Sequence, residues 1–425
     1  MVAGVDPGTT VFAMDMVLRN AVLAGQEDVG PRDVGISQGR IAAIEPRLAA
    51  RAREDHDLGG ALLCAGLVES HIHLDKSRII DRCPPEEGRT AMAVKRVQAA
   101  KRDFTVEDVY ARAKATLEAA ILQGTTRMRN HVEVDPSGDL VGLQAIQQLA
   151  RDYAWAIDLE ICVFLQEGMT GVDGAEALLI EALERGERIA AVGGAPNYDS
   201  DHGHHIRRVF ELAKTHDLDV DLHLDFGNSA KEMDIYLVME LAERYGYGGR
   251  VNVGHVTKLS TLPPEEQAPI ARRLAEVGVA VTVLPATDLF MMGREQTYDV
   301  RRGIVDVNAL ERQGVLCSIA TNNILNPFTP YGDCSLLRMA NLHANTLQVS
   351  RPDDLASCFW MVAGEAAAVM NLGDYGLAVG NPADFAVIDA ASEADAVARV
   401  APVLHAFKRG RRTVTRERAT LHRPA

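Results

Sequence analysis

The residues with the greatest chemical capacity in this chain are its histidines. Five of the thirteen fall in one recurring place, at the downstream end of an apolar run. His71 and His73 close GLVESHIHLD, His131 closes RMRNHVEV, His223 stands in LDVDLHLDF and His255 ends RVNVGHV. In an extended strand residues i and i+2 point to the same side, so His71 and His73 can reach one ion. Imidazole nitrogen ligates zinc or iron at ~2.0–2.1 Å, and a catalytic ion takes about three protein ligands and keeps one position open for water. His71, His73 and His223 could supply those ligands to a single divalent ion, zinc or iron, which would lower the pKa of its water to ~7. His255 would then face the substrate as a hydrogen-bond donor or acid.

Each of these residues also has a plainer reading. An H-x-H pair can be a core or surface pair, and His131 a buried, hydrogen-bonded side chain on a pocket floor. His202-Gly203-His204-His205 follows Asp199 and Asp201 at the start of a helical stretch. It reads as an exposed capping loop, with a pocket rim as the alternative. Lys76 and Arg78 could meet an anionic substrate or be ordinary loop charges.

The elements that would position these groups follow from the alternation around them. Helical stretches such as VEDVYARAKATLEAAILQG separate eight strand candidates: GLVESHIHLD, RMRNHVEV, AIDLEICVFL, RIAAVGGAP, LDVDLHLDF, RVNVGHV, GVAVTVLPAT and GVLCSIATNN. Strand then helix, repeated, means a parallel sheet, and near-continuous apolar runs suit strands covered on both faces. Eight such units close into a (β/α)8 barrel, whose active sites sit at the C-terminal strand ends. The expected fold is α/β, a distorted (β/α)8 TIM barrel over residues 66–370. A small β-sandwich-like domain is expected from 1–65 together with 371–425, where short strands alternate with turns.

Composition limits the function classes. The chain has 425 residues, 47% hydrophobic and 24% charged, and a net charge of −15. So acidic a surface argues against nucleic acid or an anionic membrane as partner. No stretch of 18 apolar residues is present, so no membrane span is expected. MVAGVDPGTTVFAMDMVLRN lacks a basic region followed by an apolar one, so no secretory leader is expected. Six cysteines without C-x-x-C spacing fit a reduced, cytoplasmic setting. A homo-oligomer is expected.

The segments GLVESHIHLDKS, RNHVEVDP, FLQEG, VDLHLD, GHVTKLS, GREQTYDVRRGI and NPFTPYGDCSLLRMANL span most of the barrel region. Together they resemble the amidohydrolase superfamily, and within it the cytosine deaminase branch. The resemblance implies one iron or zinc held by His71, His73 and His223, His255 beside the attacking water, and Gln166 on the ring amide of the substrate. An amide offers both a donor and an acceptor to such an edge. Two positions depart from the family. Its strand-five glutamate, which passes the proton to the leaving nitrogen, is replaced here by Phe226. Its strand-eight aspartate, which takes the proton of the water, is replaced by Asn322. An amide cannot serve as a general base, although Asn322 can hold a water by hydrogen bonding. Asp288 is the foremost candidate for the replacement carboxylate, with Glu167, Asp225 and Asp333 behind it. Phe226 makes the pocket more apolar, as a substituent bulkier than an amino group would require.

The expected function is hydrolysis of a C–N bond, by deamination or amide hydrolysis, in a small nitrogen heterocycle other than cytosine. Two alternatives stay open. One is altered chemistry, with or without metal, that uses His255 and Lys258 as acid and base. The other is an inactive barrel that binds a small heterocyclic ligand.

Overall fold

The computed structural model describes residues 13–84, 90–301 and 303–423. Residues 1–12 and 424–425 of the expected terminal domain lie outside the described residues, as does position 302 within GREQTYDVRRGI. The eight strand candidates form β1 (Leu67–Ile72), β2 (Thr125–Glu133), β3 (Asp158–Leu165), β4 (Ile189–Gly194), β5 (Asp219–Leu224), β6 (Val251–His255), β7 (Val279–Val283) and β8 (Cys317–Ile319). They pair in chain order, every neighbour parallel. The ring closes between β1 and the residues just past β8. Asn322 donates its N–H to the His71 carbonyl at 2.8 Å and accepts from the His73 N–H at 2.9 Å. This is a distorted (β/α)8 barrel.

The strands are less uniformly apolar than the runs suggest. On β5, Val220, Leu222 and Leu224 belong to the main apolar core, shared with helices such as His202–His216 and Ile235–Tyr245. Asp221 and His223 alternate with them and share the opposite, inward side. Below the histidines this inner side is hydrogen-bonded rather than oily. Asn252 donates to Asp221 (2.9 Å), Thr282 donates to Asn252 (2.9 Å), and Ser318 joins Thr282 (2.8 Å) to Ser70 (2.9 Å). Buried Arg129 pairs with Glu160 at 2.6 Å, Asp219 at 3.2 Å and Asp221 at 3.3 Å.

A second, eight-stranded sheet joins the chain ends. Met14–Leu23, Arg32–Ser37, Arg40–Glu45, Ala52–Asp57 and Leu62–Ala65 come from one side, and Phe385–Ile388, Val403–Lys408 and Arg411–Thr415 from the other. Phe385–Ile388 runs antiparallel to Leu62–Ala65. Met16, Leu18, Val34 and Ile36 share one core with Phe385 and Phe407, so neither chain end can bury its apolar face alone. No helix among the described residues is long and apolar enough to cross a membrane. All six cysteines are buried and unpaired.

Candidate active site

β1 and β5 carry three imidazoles to one point at the C-terminal mouth of the barrel. His223 Nε2 lies 3.1 Å from His71 Nε2 and 3.1 Å from His73 Nε2. All three rings are buried. His73 donates Nδ1–H to the His131 carbonyl at 3.1 Å, which leaves its Nε2 bare for a ligand bond. Burial, reinforced by neighbouring charges, holds all three well below the usual histidine range, so they are neutral and carry free lone pairs. Three lone pairs facing one another repel unless something positive sits between them. Tetrahedral coordination at ~2.05 Å puts ligand nitrogens about 3.3 Å apart, close to the separations present here. The donor set therefore fits one divalent ion. His131 stacks under His71, with ring centroids 3.7 Å apart, and its Nε2 lies 3.3 Å from Asp221.

His255 ends β6 in a left-handed conformation, φ +71°, inside a tight turn where the Val256 N–H reaches the Gly254 carbonyl at 3.1 Å. Such a backbone costs a non-glycine residue of order 1–3 kcal/mol and recurs at functional sites. Its Nδ1 meets Asp288 Oδ1 at 2.6 Å. Asp288 is fully buried in the helix Pro285–Met291, and its second oxygen accepts the Leu284 N–H at 3.2 Å. A carboxylate on Nδ1–H leaves Nε2 as the basic nitrogen. His255 lines the cavity, whereas Asp288 stands behind it and reaches the cavity only through the ring.

A partly open cavity lies at this mouth of the barrel. His73, His223, Asn322, Gln166, Asn197, Tyr198, Lys76, Asn323, His255 and Thr287 line it, together with the apolar Phe226, Met291 and Phe328. The Phe226 ring meets His255 edge-on at 5.2 Å between centroids, so the wall facing this base is apolar. The main chain at Gln166 is held from beneath: Asp135 Oδ1 accepts the N–H groups of Gln166 (3.0 Å) and Glu167 (2.9 Å).

Lys101 organises this support, reaching Glu133 at 2.8 Å, Asp135 at 2.9 Å and Glu167 at 2.7 Å. Burial works against its charge, but the three carboxylates outweigh burial and raise its pKa well above the ordinary value. Burial likewise works to raise Glu133, yet Lys101 and Lys76 hold it at about 2. Burial, opposed by Lys101, lifts Asp135 to about 6.

The structure brings His73, His223, His255, Gln166, Phe226 and Asn322 around one cavity, with His71 behind His223 at 3.1 Å and Asp288 one hydrogen bond from His255. The lesser carboxylate candidates are engaged in structural contacts. Glu167 serves Lys101, Asp225 accepts the N–H groups of Asp234 and Ile235 at 2.9 Å each, and Asp333 pairs with Arg338 at 2.9 Å. Lys258 reaches Asp225 at 3.1 Å. Asp201 caps the helix at His202, as its position before that helix implies, but His205 is buried against Asp199 at 2.9 Å. Lys76 and Arg78, alike in sequence, part company. Lys76 is buried, lines the cavity and pairs with Glu133 at 2.5 Å, while Arg78 turns to Thr116 at 3.1 Å. Asn197 and Asn323 stand at strand ends in the sequence, whereas Thr287, Met291 and Phe328 became visible as lining residues only in three dimensions.

The chain is similar to several known proteins over most of its length. A curated relative is the N-isopropylammelide isopropyl amidohydrolase of Pseudomonas sp. (strain ADP), 26% identical over 93% of this chain and 96% of that protein. A pterin deaminase of Rhizobium rhizogenes is 24% identical over 84% and 82%. Among solved structures, 5-methylcytosine deaminase from Klebsiella pneumoniae liganded with 5-fluorocytosine superposes with a TM-score of 0.90 at 28% identity, covering 96% of this chain and 100% of that one. N-isopropylammelide isopropylaminohydrolase from Burkholderia multivorans gives 0.81 at 26%, covering 94% and 98%. The amidohydrolase family model matches residues 167–418, more than half of the length, and the chain belongs to the amidohydrolase family.

Proposed function

We propose that this protein is a metal-dependent hydrolase that cleaves a C–N bond of a small nitrogen heterocycle, and that cytosine itself is not its substrate. The observation that carries this reading is the convergence of three neutral imidazoles, two of which line the same cavity as the Asp288-backed His255. A divalent ion held by His71, His73 and His223, zinc or iron, would supply a water that ionises near neutral pH. The chain's own groups handle the protons. His255 Nε2, its tautomer set by Asp288, takes a proton from the attacking water as the C–O bond forms. It returns that proton to the nitrogen as the C–N bond breaks. Gln166 presents a donor and an acceptor to the ring edge. Phe226, Met291 and Phe328 favour an apolar substituent on the ring.

Phe226 and Asn322, standing where the family carries carboxylates, favour a second reading: a barrel that binds a heterocyclic ligand without turnover. A panel of pyrimidines, triazines, pterins and hydantoins, assayed on protein of known metal content, separates the two. Turnover of one compound at least a hundredfold above that of cytosine supports hydrolysis. Binding without turnover across the panel, with one equivalent of metal present, supports the second reading. Efficient cytosine deamination would refute the inference drawn from Phe226 and Asn322. The expectations of a cytoplasmic homo-oligomer without nucleic-acid or membrane partners stand as part of the same reading.

A further inference from the structure

Asn322 lies against the histidine cluster, 1% exposed, and its Nδ2 is buried without a hydrogen-bond partner among the described residues. Which end of an amide faces a site depends on what the other end meets. Here the neighbours decide it, because they form a chain with unambiguous ends. Asn326 Oδ1 accepts the main-chain N–H groups of Phe328 (3.0 Å) and Thr329 (3.2 Å), and its Nδ2 faces the Lys76 carbonyl (3.3 Å). A main-chain N–H can only donate and a carbonyl can only accept, so Asn326 has one possible orientation. Its Nδ2 therefore donates to Asn323 Oδ1 at 2.7 Å. Asn323 then turns its own Nδ2 to Asn322 Oδ1 at 2.9 Å. Asn322 Oδ1 is thus fixed as the end that meets Asn323, and Nδ2 is the end of this cavity-lining residue left to donate.

We propose that this ladder of three amides makes Asn322 a hydrogen-bond donor to the reacting oxygen rather than a metal ligand. The protein would then be built for substrates whose attacked carbon bears a carbonyl oxygen, namely cyclic amides and ureides. The proposal rests on the hydrolase reading above. Addition of water to a ring carbonyl forms a C–O bond and sends the carbonyl π electrons onto oxygen. The developing oxyanion needs a donor, and preorganised donors of this kind are a large source of rate. The proton of the water passes to His255 Nε2. Collapse of the oxyanion breaks the C–N bond as His255 protonates the nitrogen, leaving a carboxylic acid and an amine from a cyclic amide, or a carboxylic acid and a urea nitrogen from a ureide. An amidine carbon bearing an exocyclic amine develops no such oxygen.

The ladder can be reversed without touching Asn322. Asn323→Asp keeps the oxygen that accepts from Asn326 and replaces the donor with an oxygen. Asn322 must then turn its Nδ2 towards the introduced carboxylate and its Oδ1 towards the histidines. Asn326→Asp forces the same reversal one step further away. Thermal melts identify any variant that fails to fold, and either variant alone suffices. Zinc affinity, measured by chelator competition, should be the same within about twofold in the wild type and Asn322→Ala. It should tighten in Asn323→Asp or Asn326→Asp, and the tightening should vanish when Asn322→Ala is added. Acetohydroxamate, an oxyanion ligand, should bind the zinc-loaded wild type about tenfold or more tightly than zinc-loaded Asn322→Ala, the scale of a charge-assisted hydrogen bond. Loss of zinc affinity in Asn322→Ala would overturn the proposal, because the amide would then be a ligand. So would tightening that persists in the double variant, which would be an effect of charge alone. Turnover of exocyclic amines with none of hydantoin or dihydrouracil would overturn the substrate class. The affinity measurements need no turnover, so failure of the hydrolase reading is separable from failure of the amide orientation.

Discussion

Replacing Asp288 by asparagine changes one oxygen to an N–H₂ and nothing in volume, yet the hydrogen bonds around it force a specific consequence. The Leu284 N–H donates to one end of this side chain and must keep an acceptor there. The new amide therefore turns its NH₂ to His255 Nδ1, 2.6 Å from the present carboxylate oxygen. That nitrogen must become an acceptor, which moves the ring proton to Nε2, the nitrogen that faces the cavity. The base is then blocked by its own proton. General acid–base catalysis contributes ~10²–10⁴-fold, and a wrong-tautomer histidine in a comparable carboxylate–histidine pair loses ~10⁴ in kcat. Asp288→Asn should accordingly lose about 10²- to 10⁴-fold in kcat on the substrate identified from the panel, with KM little changed. Nitrogen-15 spectra of histidine-labelled protein read the tautomer directly and need no substrate. The His255 proton should sit on Nδ1 in the wild type and on Nε2 in the variant. An Asp288→Asn enzyme within about threefold of wild type, or an unchanged tautomer, would refute the reasoning.

Three further outcomes follow from the geometry. Protein grown in supplemented medium should carry about one equivalent of zinc or iron, and His71→Ala or His223→Ala should abolish it by elemental analysis, since each removes one of three ligands. In metal-free protein His223 is held neutral below the usual histidine range, so the unfolded chain binds its proton first as the pH falls. Relative to His223→Gln, the wild type should lose about 1.4 kcal/mol per pH unit below about 6.5, measured by denaturant titration at pH 7.5, 6.5 and 5.5; a constant difference would refute this. Lys101→Met leaves Glu133, Asp135 and Glu167 without their shared cation and should cost about 3–5 kcal/mol of stability, the scale of a buried pair broken on one side. A loss under about 1 kcal/mol would mean that water or rearrangement compensates the carboxylates.

Features that repeat or recur locally are legible along the chain. The alternation of apolar runs and helical stretches placed all eight barrel strands, and strand-end position marked His71, His73, His223 and His255 before any coordinates. Strand parity and barrel closure are periodic facts, so they are legible along a line. The tertiary structure alone decided which charges serve the site. Lys76 and Arg78 are two residues apart and read alike, yet one lines the cavity and the other packs on Thr116, because the chain turns between them with φ +56° at Arg78. Asp288 was singled out by its place near a strand end, but that it acts on Nδ1 of His255 depends on a tight turn with no sequence signature. Glu167, Asp225 and Asp333 were equal candidates on paper and are separated only by their partners. The orientation of Asn322 lies furthest from the sequence. It is set by main-chain N–H groups at Phe328 and Thr329, relayed through two other amides, and a hydrogen-bond direction of that kind exists only once the chain has folded back on itself.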